Sequence, residues 1–276
     1  MVSSVRRGFS LHELLISLTV MSAVFGLATH FAMRQMRFFR DVADADARRS
    51  QLAQVTEVVR NVLANVSPST GEFLVAQDSA LEVRLTIGTA FVCDAAPGRV
   101  LLPAPDRSAG RMAAFVRAPA AGDRLSALFS DSLGETWLHL QLASAPAAEG
   151  PCPSNPVIDT TWSITTVEPM VLPIGTALRF TRPLRLSIYR SSDDRWYLGA
   201  RDWNGGGQRF NAIQPVAGPL LRFDDTGSAG LRFIYSDAQG QTLSQPVAVD
   251  RIASVTVVAR ASSDSMVAVV RLPNAQ

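Results

Sequence analysis

The amino-acid sequence predicts an α+β protein in which one long N-terminal α-helix precedes a mainly antiparallel β domain. Three observations carry this prediction. The twenty residues of Leu14–Met33 contain no formal charge. Apolar residues then recur at helical spacing as far as Val66. From about residue 73 onward, short apolar and β-branched segments alternate with polar residues, a pattern typical of strands.

The uncharged run is long enough to cross a membrane. A helix of twenty residues spans about 30 Å, the thickness of the hydrocarbon core of a bilayer. The run is longer than the apolar region of a secretory signal, and no small-x-small cleavage site follows it. Arginines flank both ends, so the positive-inside rule does not fix the orientation. We therefore expect a transmembrane segment at about residues 12–33.

The helical pattern continues beyond the apolar run. Leu52, Val55, Val59, Val62 and Val66 are separated by 3, 4, 3 and 4 residues, which places them on one face of a helix. The segment 67–71, Ser-Pro-Ser-Thr-Gly, is typical of a helix end. The sequence therefore predicts one helix over residues 9–66, whose second half packs on a globular domain or on neighbouring chains.

Residues 67–276 are predicted to form the β domain. Residues 73–92 alternate with a rough period of two, and Leu125–Phe129 and Thr136–Leu142 flank a turn, which predicts a hairpin. Residues 143–156 are predicted to be a proline-rich loop. Further strands are predicted at 176–180, 184–190, 195–201, 231–236, 254–260 and 266–272.

Charge and composition argue against a nucleic-acid partner. All 26 basic residues are arginine, against 24 acidic residues, and the formal net charge is +2. Arg6 and Arg7 account for that excess, since 26 − 2 equals 24. The remaining arginines are scattered along the sequence, and no basic run resembles a nucleic-acid patch. We therefore expect no direct nucleic-acid binding.

The sequence also lacks the patterns of an enzyme. It has three histidines, and none of the P-loop, G-x-S-x-G, HExxH or zinc-ligand patterns occurs. His139 is expected to be a surface or half-buried strand residue. The glycine-rich 204–207 segment is interpreted as a hairpin loop, and Asp193-Asp194 and Asp224-Asp225 as solvated turns. We expect no catalytic residues, no cofactor and no metal.

Cys93 and Cys152 are the two cysteines. A disulfide between them is expected if the domain is exported to an oxidising compartment. In the chain-entropy model, closing a loop of this size stabilises the fold by about 4 kcal/mol. The alternative interpretation is two unrelated buried thiols.

The residues before the apolar run carry a family resemblance. Arg6, Arg7, Gly8, Phe9 and Glu13 lead directly into it, and this order resembles the N-terminal signal of type IV pilins and type II secretion pseudopilins. The resemblance implies that a prepilin peptidase cuts between Gly8 and Phe9 and that Phe9 is then N-methylated. It also implies that Glu13 registers subunits by pairing with the terminal ammonium of a neighbour. His12 departs from the family pattern, which has an aliphatic residue there.

The physical chemistry of the segment agrees with that resemblance. Glycine has no Cβ, which lets the backbone approach a protease groove closely. A lone carboxylate inside lipid costs about 2.5–3.5 kcal/mol, so Glu13 needs a partner. The alternative interpretation is a plain single-pass anchor with Glu13 at the level of the lipid headgroups.

The second half of the sequence resembles one branch of the same family. Residues 184–201, 214–223, 230–240 and 249–259 look like the C-terminal sheet of W-type minor pilins and J-type pseudopilins. The resemblance implies a pilin-like fold with a leader at 1–8, a helix at 9–66 and a periplasmic domain at 67–276.

By that resemblance the protein is a minor pilin or pseudopilin, a structural subunit that primes or caps a type IV pilus or type II secretion pseudopilus. Its expected location is the inner membrane, with the N-terminus cytoplasmic and the domain periplasmic, and then the filament. Its expected partners are the prepilin peptidase, other minor and major pilins or pseudopilins, the inner-membrane assembly platform and the lipid bilayer. The alternative is a membrane-tethered periplasmic binding module or enzyme with a pilin-like anchor, which predicts a functional pocket in residues 67–276.

Overall fold

The α+β prediction is confirmed. The structure, a computed structural model, describes residues 10–105, 113–131, 134–224 and 229–273. One helix, α1, spans Leu11–Leu63, and antiparallel strands follow it. The strands are β1 Phe73–Ala76, β2 Ala80–Phe91, β3 Asp94–Ala96, β4 Arg99–Pro103, β5 Ala113–Phe115, β6 Arg124–Asp131, β7 Gly134–Gln141, β8 Ala147–Glu149, β9 Thr161–Thr165, β10 Ala177–Arg190, β11 Trp196–Asn204, β12 Arg209–Phe210, β13 Gln214–Leu220, β14 Leu231–Ser236, β15 Ser254–Ala261 and β16 Asp264–Arg271. Short 3₁₀ turns lie at Pro68–Thr70 and Val249–Arg251.

The described residues form two compact units, one up to Ser50 and one from Gln51 onward. In α1 the buried residues are Leu52, Val55, Thr56, Val59 and Leu63, all in the second unit. These include three of the five positions that the helical spacing predicts, Leu52, Val55 and Val59, so the apolar face of residues 52–63 does pack on the β domain. Val66 is also buried, beyond the end of the helix.

The central sheet is organised around β10. Its order is β1-β2-β10-β11-β12, and β5, β6, β7 and β13 pair alongside that path. β2 runs along one side of β10. On the other side, β6 pairs with residues 178–181 and β11 with residues 184–190. The predicted hairpin of β6 and β7 is confirmed, with Phe129 opposite Thr136.

The sequence prediction divides β10 into two strands, and this is wrong. The strand continues through Pro183, which lies opposite Arg84 of β2. The N–H of Arg84 points away from β10 and donates to the carbonyl of Glu72, the residue before β1. The backbone nitrogen of Pro183 therefore points away from β2, towards the gap between the end of β6 and the start of β11. A missing N–H at that point costs no ladder hydrogen bond.

Two smaller sheets complete the domain. One has the order β14-β15-β16, and these strands agree with the predicted segments 231–236, 254–260 and 266–272. The other has the order β3-β4-β9-β8, and the sequence prediction misses it. Its strands have three to five residues each, and β8 lies inside the predicted loop 143–156.

A buried ion pair separates two hydrophobic cores along one face of β10. Leu184 and Leu186 belong to the first core, which α1 and the β14-β15-β16 sheet share. Leu178 and Phe180 belong to the second, which β6, β7 and β9 share. Arg182 lies between them and pairs with Asp123, which is 0% exposed. Two hydrogen bonds of 2.8 and 2.7 Å join the guanidinium to the two carboxylate oxygens.

Candidate functional site

Of the residues to which the sequence assigns a role, Gly8 and Phe9 lie outside the described residues. Glu13 lies in the first turn of α1, and its carboxylate accepts a hydrogen bond of 3.1 Å from the backbone N–H of Ser10. In return, the Ser10 hydroxyl accepts a bond of 3.3 Å from the backbone N–H of Glu13. This reciprocal pair is a capping box. The N–H of Glu13 also donates to the Ser10 carbonyl at 3.1 Å, so the carboxylate bond to the N–H of Ser10 is the contact that Glu13 alone supplies.

The capping role of Ser10 is not among the sequence predictions. The signal is visible in the sequence, because Ser10-Leu11-His12-Glu13 fits the pattern S/T-x-x-E immediately before an apolar run. Glu13 therefore has a local partner within its own chain. The positive end of the helix dipole also stabilises this carboxylate. Glu13 thus contributes to the helix start whether or not it also contacts another subunit.

The hydroxyl groups inside the apolar run are satisfied locally. The four hydroxyl groups of Leu14–Met33 each donate to a backbone carbonyl one turn earlier in α1: Ser17, Thr19, Ser22 and Thr29. Oxygen-to-oxygen distances are 2.7–3.0 Å. An unsatisfied hydroxyl is costly in an apolar environment, and back-bonding to the preceding turn removes that cost. The run can thus enter lipid without an unpaired hydroxyl.

The apolar side chains of the first unit are exposed. These exposed large residues are Leu11, Leu14, Leu15, Ile16, Leu18, Val20, Met21, Val24, Phe25, Leu27, Phe31, Met33, Met36, Phe38, Phe39 and Val42. By length and composition, α1 can cross a membrane. An exposed apolar surface of this extent marks a site that lipid or other protein covers. The transmembrane prediction is confirmed to that extent.

A polar cluster lies on the face of the central sheet opposite the two cores. Glu72, whose side chain is 5% exposed, pairs with Arg179 at 2.9 Å and accepts a bond of 2.8 Å from the N–H of Ser67. Arg179 also donates to the Thr86 hydroxyl at 2.7 Å and to the Asn65 carbonyl at 2.9 Å. Burial raises the pKa of Glu72, and the N–H of Ser67 and the charge of Arg179 oppose that rise.

Two further arginines complete this cluster. Burial lowers the pKa of Arg84, and the neighbouring charge of Arg124 lowers it further. Burial also lowers the pKa of Arg124, which donates to the Gly71 carbonyl at 3.3 Å. The exposed His139 bonds to the Ser126 hydroxyl at 2.9 Å. Loss of solvent around the ring lowers the pKa of His139, and both arginine charges act in the same direction.

The turns and loops that the sequence singles out make structural contacts. Asp193 accepts a hydrogen bond of 2.7 Å from the Tyr197 hydroxyl, and Asp194 pairs with Arg190 at 3.0 Å. The glycine-rich 204–207 segment closes the β11–β12 hairpin, with Asn204 accepting from the N–H of Gly207 at 3.0 Å. A Cβ at Gly205 would collide with the Ala121 carbonyl. Asp225 lies outside the described residues.

Cys93 and Cys152 are joined as a disulfide, with their Cα atoms 6.2 Å apart. Together with Leu101 of β4 and with Ile158 they form a small third core. In the part of the chain that the structure describes, no three His, Cys, Asp or Glu side chains lie close enough to hold a metal ion.

A groove of about 360 Å³ lies over the central sheet, between the two cores. Leu85, Leu184 and Val216 contribute to its apolar floor, and Arg117 and Asp202 lie at its polar side. These two charges pair with each other at 2.5 Å. Arg182, which also lines the groove, donates a hydrogen bond to Asp123. The groove is within the size range of ligand sites, but its charged side chains already have protein partners.

Comparisons with protein families, curated proteins and solved structures give no significant match to this chain.

Proposed function

We propose that the protein is a minor pilin or pseudopilin, cut by a prepilin peptidase between Gly8 and Phe9 and built into a filament through α1. The observation that carries the proposal is Glu13, a carboxylate in the first turn of an exposed apolar helix. The basic residues, glycine and phenylalanine that precede it support the same conclusion, because together they resemble the prepilin signal. The larger β domain favours a minor subunit that primes or caps the filament over a major pilin.

In this proposal Glu13 changes partner during assembly. In the single chain, its carboxylate accepts from the N–H of Ser10. In the filament, it pairs with the ammonium of Phe9 on the neighbouring subunit, where both partners carry a full charge. An ion pair made only between subunits favours incorporation in one register. The alternative, a membrane-tethered binding module or enzyme, gives Glu13 the capping role alone.

The first test determines whether the leader is removed. The full chain is purified from membranes with and without a prepilin peptidase, and its intact mass and N-terminus are measured. We expect a chain that begins at N-methylated Phe9 when the peptidase is present, and an uncut chain for Gly8→Ala. An uncut wild-type chain in the presence of active peptidase contradicts the proposal.

The second test separates assembly from capping. Glu13→Gln keeps a capping-box side chain and removes the charge, whereas Ser10→Ala removes the capping hydroxyl and keeps the charge. We expect both chains to be cut, Glu13→Gln to fail to enter filaments, and Ser10→Ala to be incorporated. The measurement is the amount of each variant in sheared filaments of a host that lacks the native copy. Incorporation of Glu13→Gln at the wild-type level would leave only the capping role.

A further inference from the structure

Antiparallel pairing brings three cationic side chains to one patch of the central sheet. Thr181 of β10 lies directly opposite Thr86 of β2 on one side and Arg124 of β6 on the other. Directly opposed residues share a face, and residues two apart on a strand share it as well. Arg84 and Arg179 therefore join Arg124 around Thr181 on this face, which we call the arginine patch.

Two buried polar atoms of this patch have no partner. The hydroxyl of Thr181, a residue only 1% exposed, is hydrogen-bonded to no described residue. The same is true of the buried Nε of Arg84. Within the described ranges, these are the only two buried side-chain nitrogen or oxygen atoms that lack a hydrogen-bond partner. Buried polar groups are nearly always satisfied, so two such atoms together point to a missing bonded group.

The charges of the patch are unbalanced. The carboxylate of Glu72 lies among these arginines, but it already forms an ion pair with Arg179 and accepts a hydrogen bond from the N–H of Ser67. Asp123 is committed to Arg182 on the other face of the sheet. Glu82 lies two residues from Arg84, and the charge that acts on it most strongly is that of Arg185. Arg84 and Arg124 thus remain half-buried beside each other without an ion pair to any described acid.

We propose that the arginine patch binds a small inorganic anion, which accepts hydrogen bonds from Arg84 Nε and the Thr181 hydroxyl and is held in the field of Arg124. Both unpartnered atoms can donate, and the arginine nitrogen can only donate, so the bound group must be an acceptor. A negative charge also offsets the excess of guanidinium groups, which a water molecule does not. Chloride and phosphate share this chemistry.

The test is isothermal titration calorimetry on the full chain in detergent micelles. Sodium chloride and sodium phosphate are titrated separately, with the ionic strength held constant by sodium gluconate. We expect one saturable site per chain, and the salt that binds more tightly identifies the anion. Absence of saturable binding by both salts overturns the proposal and leaves an ordered water as the bonded group.

Two variants and a control locate the site. Thr181→Val is nearly isosteric, so it keeps the packing and removes only the hydroxyl; it should weaken anion binding about tenfold. Arg84→Met should abolish it. Arg232→Met is the control, because Arg232 is a half-exposed arginine of β14, outside the patch, and binding should be unchanged. Wild-type affinity in the folded Thr181→Val variant would place the anion elsewhere and refute the assignment.

Discussion

The first fifty residues and the β domain handle polar groups in opposite ways. In the first unit, the apolar side chains are exposed and each hydroxyl of the apolar run bonds to its own helix. In the β domain, apolar side chains form buried cores, and charged groups such as Asp123 and Glu72 are buried too, each with a guanidinium partner. One region is suited to an apolar environment, and the other is built to fold in water.

This difference teaches where substitutions should be costly. A new charge matters most where the surroundings are lipid or neighbouring helices, because no partner is present there. Loss of an existing charge matters most in the β domain, because its partner then remains buried and unpaired.

The largest effect is expected from Asp123→Ala. Removing one partner of a buried ion pair costs about 3–5 kcal/mol, and because Arg182 keeps some exposure we expect about 3 kcal/mol. The measurement is urea denaturation of the full chain in micelles, followed by tryptophan fluorescence. All four tryptophans lie in the β domain and report on its unfolding. Glu57→Ala is the matched control: it breaks an exposed pair with Arg60 and should cost at most about 1 kcal/mol. Equal losses of unfolding free energy in the two variants would contradict the expected difference between a buried and an exposed ion pair.

Val24→Arg tests the first unit. Val24 lies near the centre of the uncharged run and is exposed. An arginine at that depth should disfavour membrane insertion by about 2.5–3.5 kcal/mol. The fraction of the chain that resists alkaline extraction from membranes should therefore fall sharply. Met36→Arg introduces the same side chain after the run, beside Arg37, and should remain membrane-bound. Loss of both variants from the membrane would show that the charge acts irrespective of its depth.

The smallest effect is expected from the pH dependence of stability that Glu72 contributes to the β domain. Because burial raises the pKa of Glu72 above its ordinary value of 4.5, the folded chain holds a proton that the unfolded chain has released between the two pKa values. The stabilisation from this proton is complete below pH 4.5 and is lost as the pH rises through the folded pKa. Glu72→Gln does not titrate at that position. The free energy of unfolding of the wild type, minus that of Glu72→Gln, should therefore decrease as the pH rises through this window. A difference that increases with pH would show that the ion pair with Arg179 outweighs burial.

The sequence predicts the features that depend on local patterns. The helix, its buried face at residues 52–63, the β6–β7 hairpin and the last three strands follow from apolar periodicity. The continuity of β10 does not, because the tolerance of Pro183 depends on β6 ending where β11 begins. The short strands β3, β4, β8 and β9 also escape prediction, since three to five residues carry too little periodicity.

The candidate sites show the same division. The capping box of Ser10 and Glu13 is readable in the sequence, because its two residues are three positions apart. The arginine patch is not readable. Arg84, Arg124 and Arg179 are separated by 40 and 55 residues, and only the register of β2, β6 and β10 brings them around Thr181. A scattered set of arginines in the sequence therefore becomes a local concentration of charge in the fold.

The disulfide makes a covalent ring of the chain between its two half-cystines. The two half-cystines are separated by 59 residues along the sequence, and the ring between them includes β3 to β8. A single proteolytic cut anywhere from residue 94 to residue 151 therefore leaves both fragments attached. Such a nicked molecule migrates as one species in a denaturing gel, and α1 stays linked to the C-terminal sheets until a reductant is added.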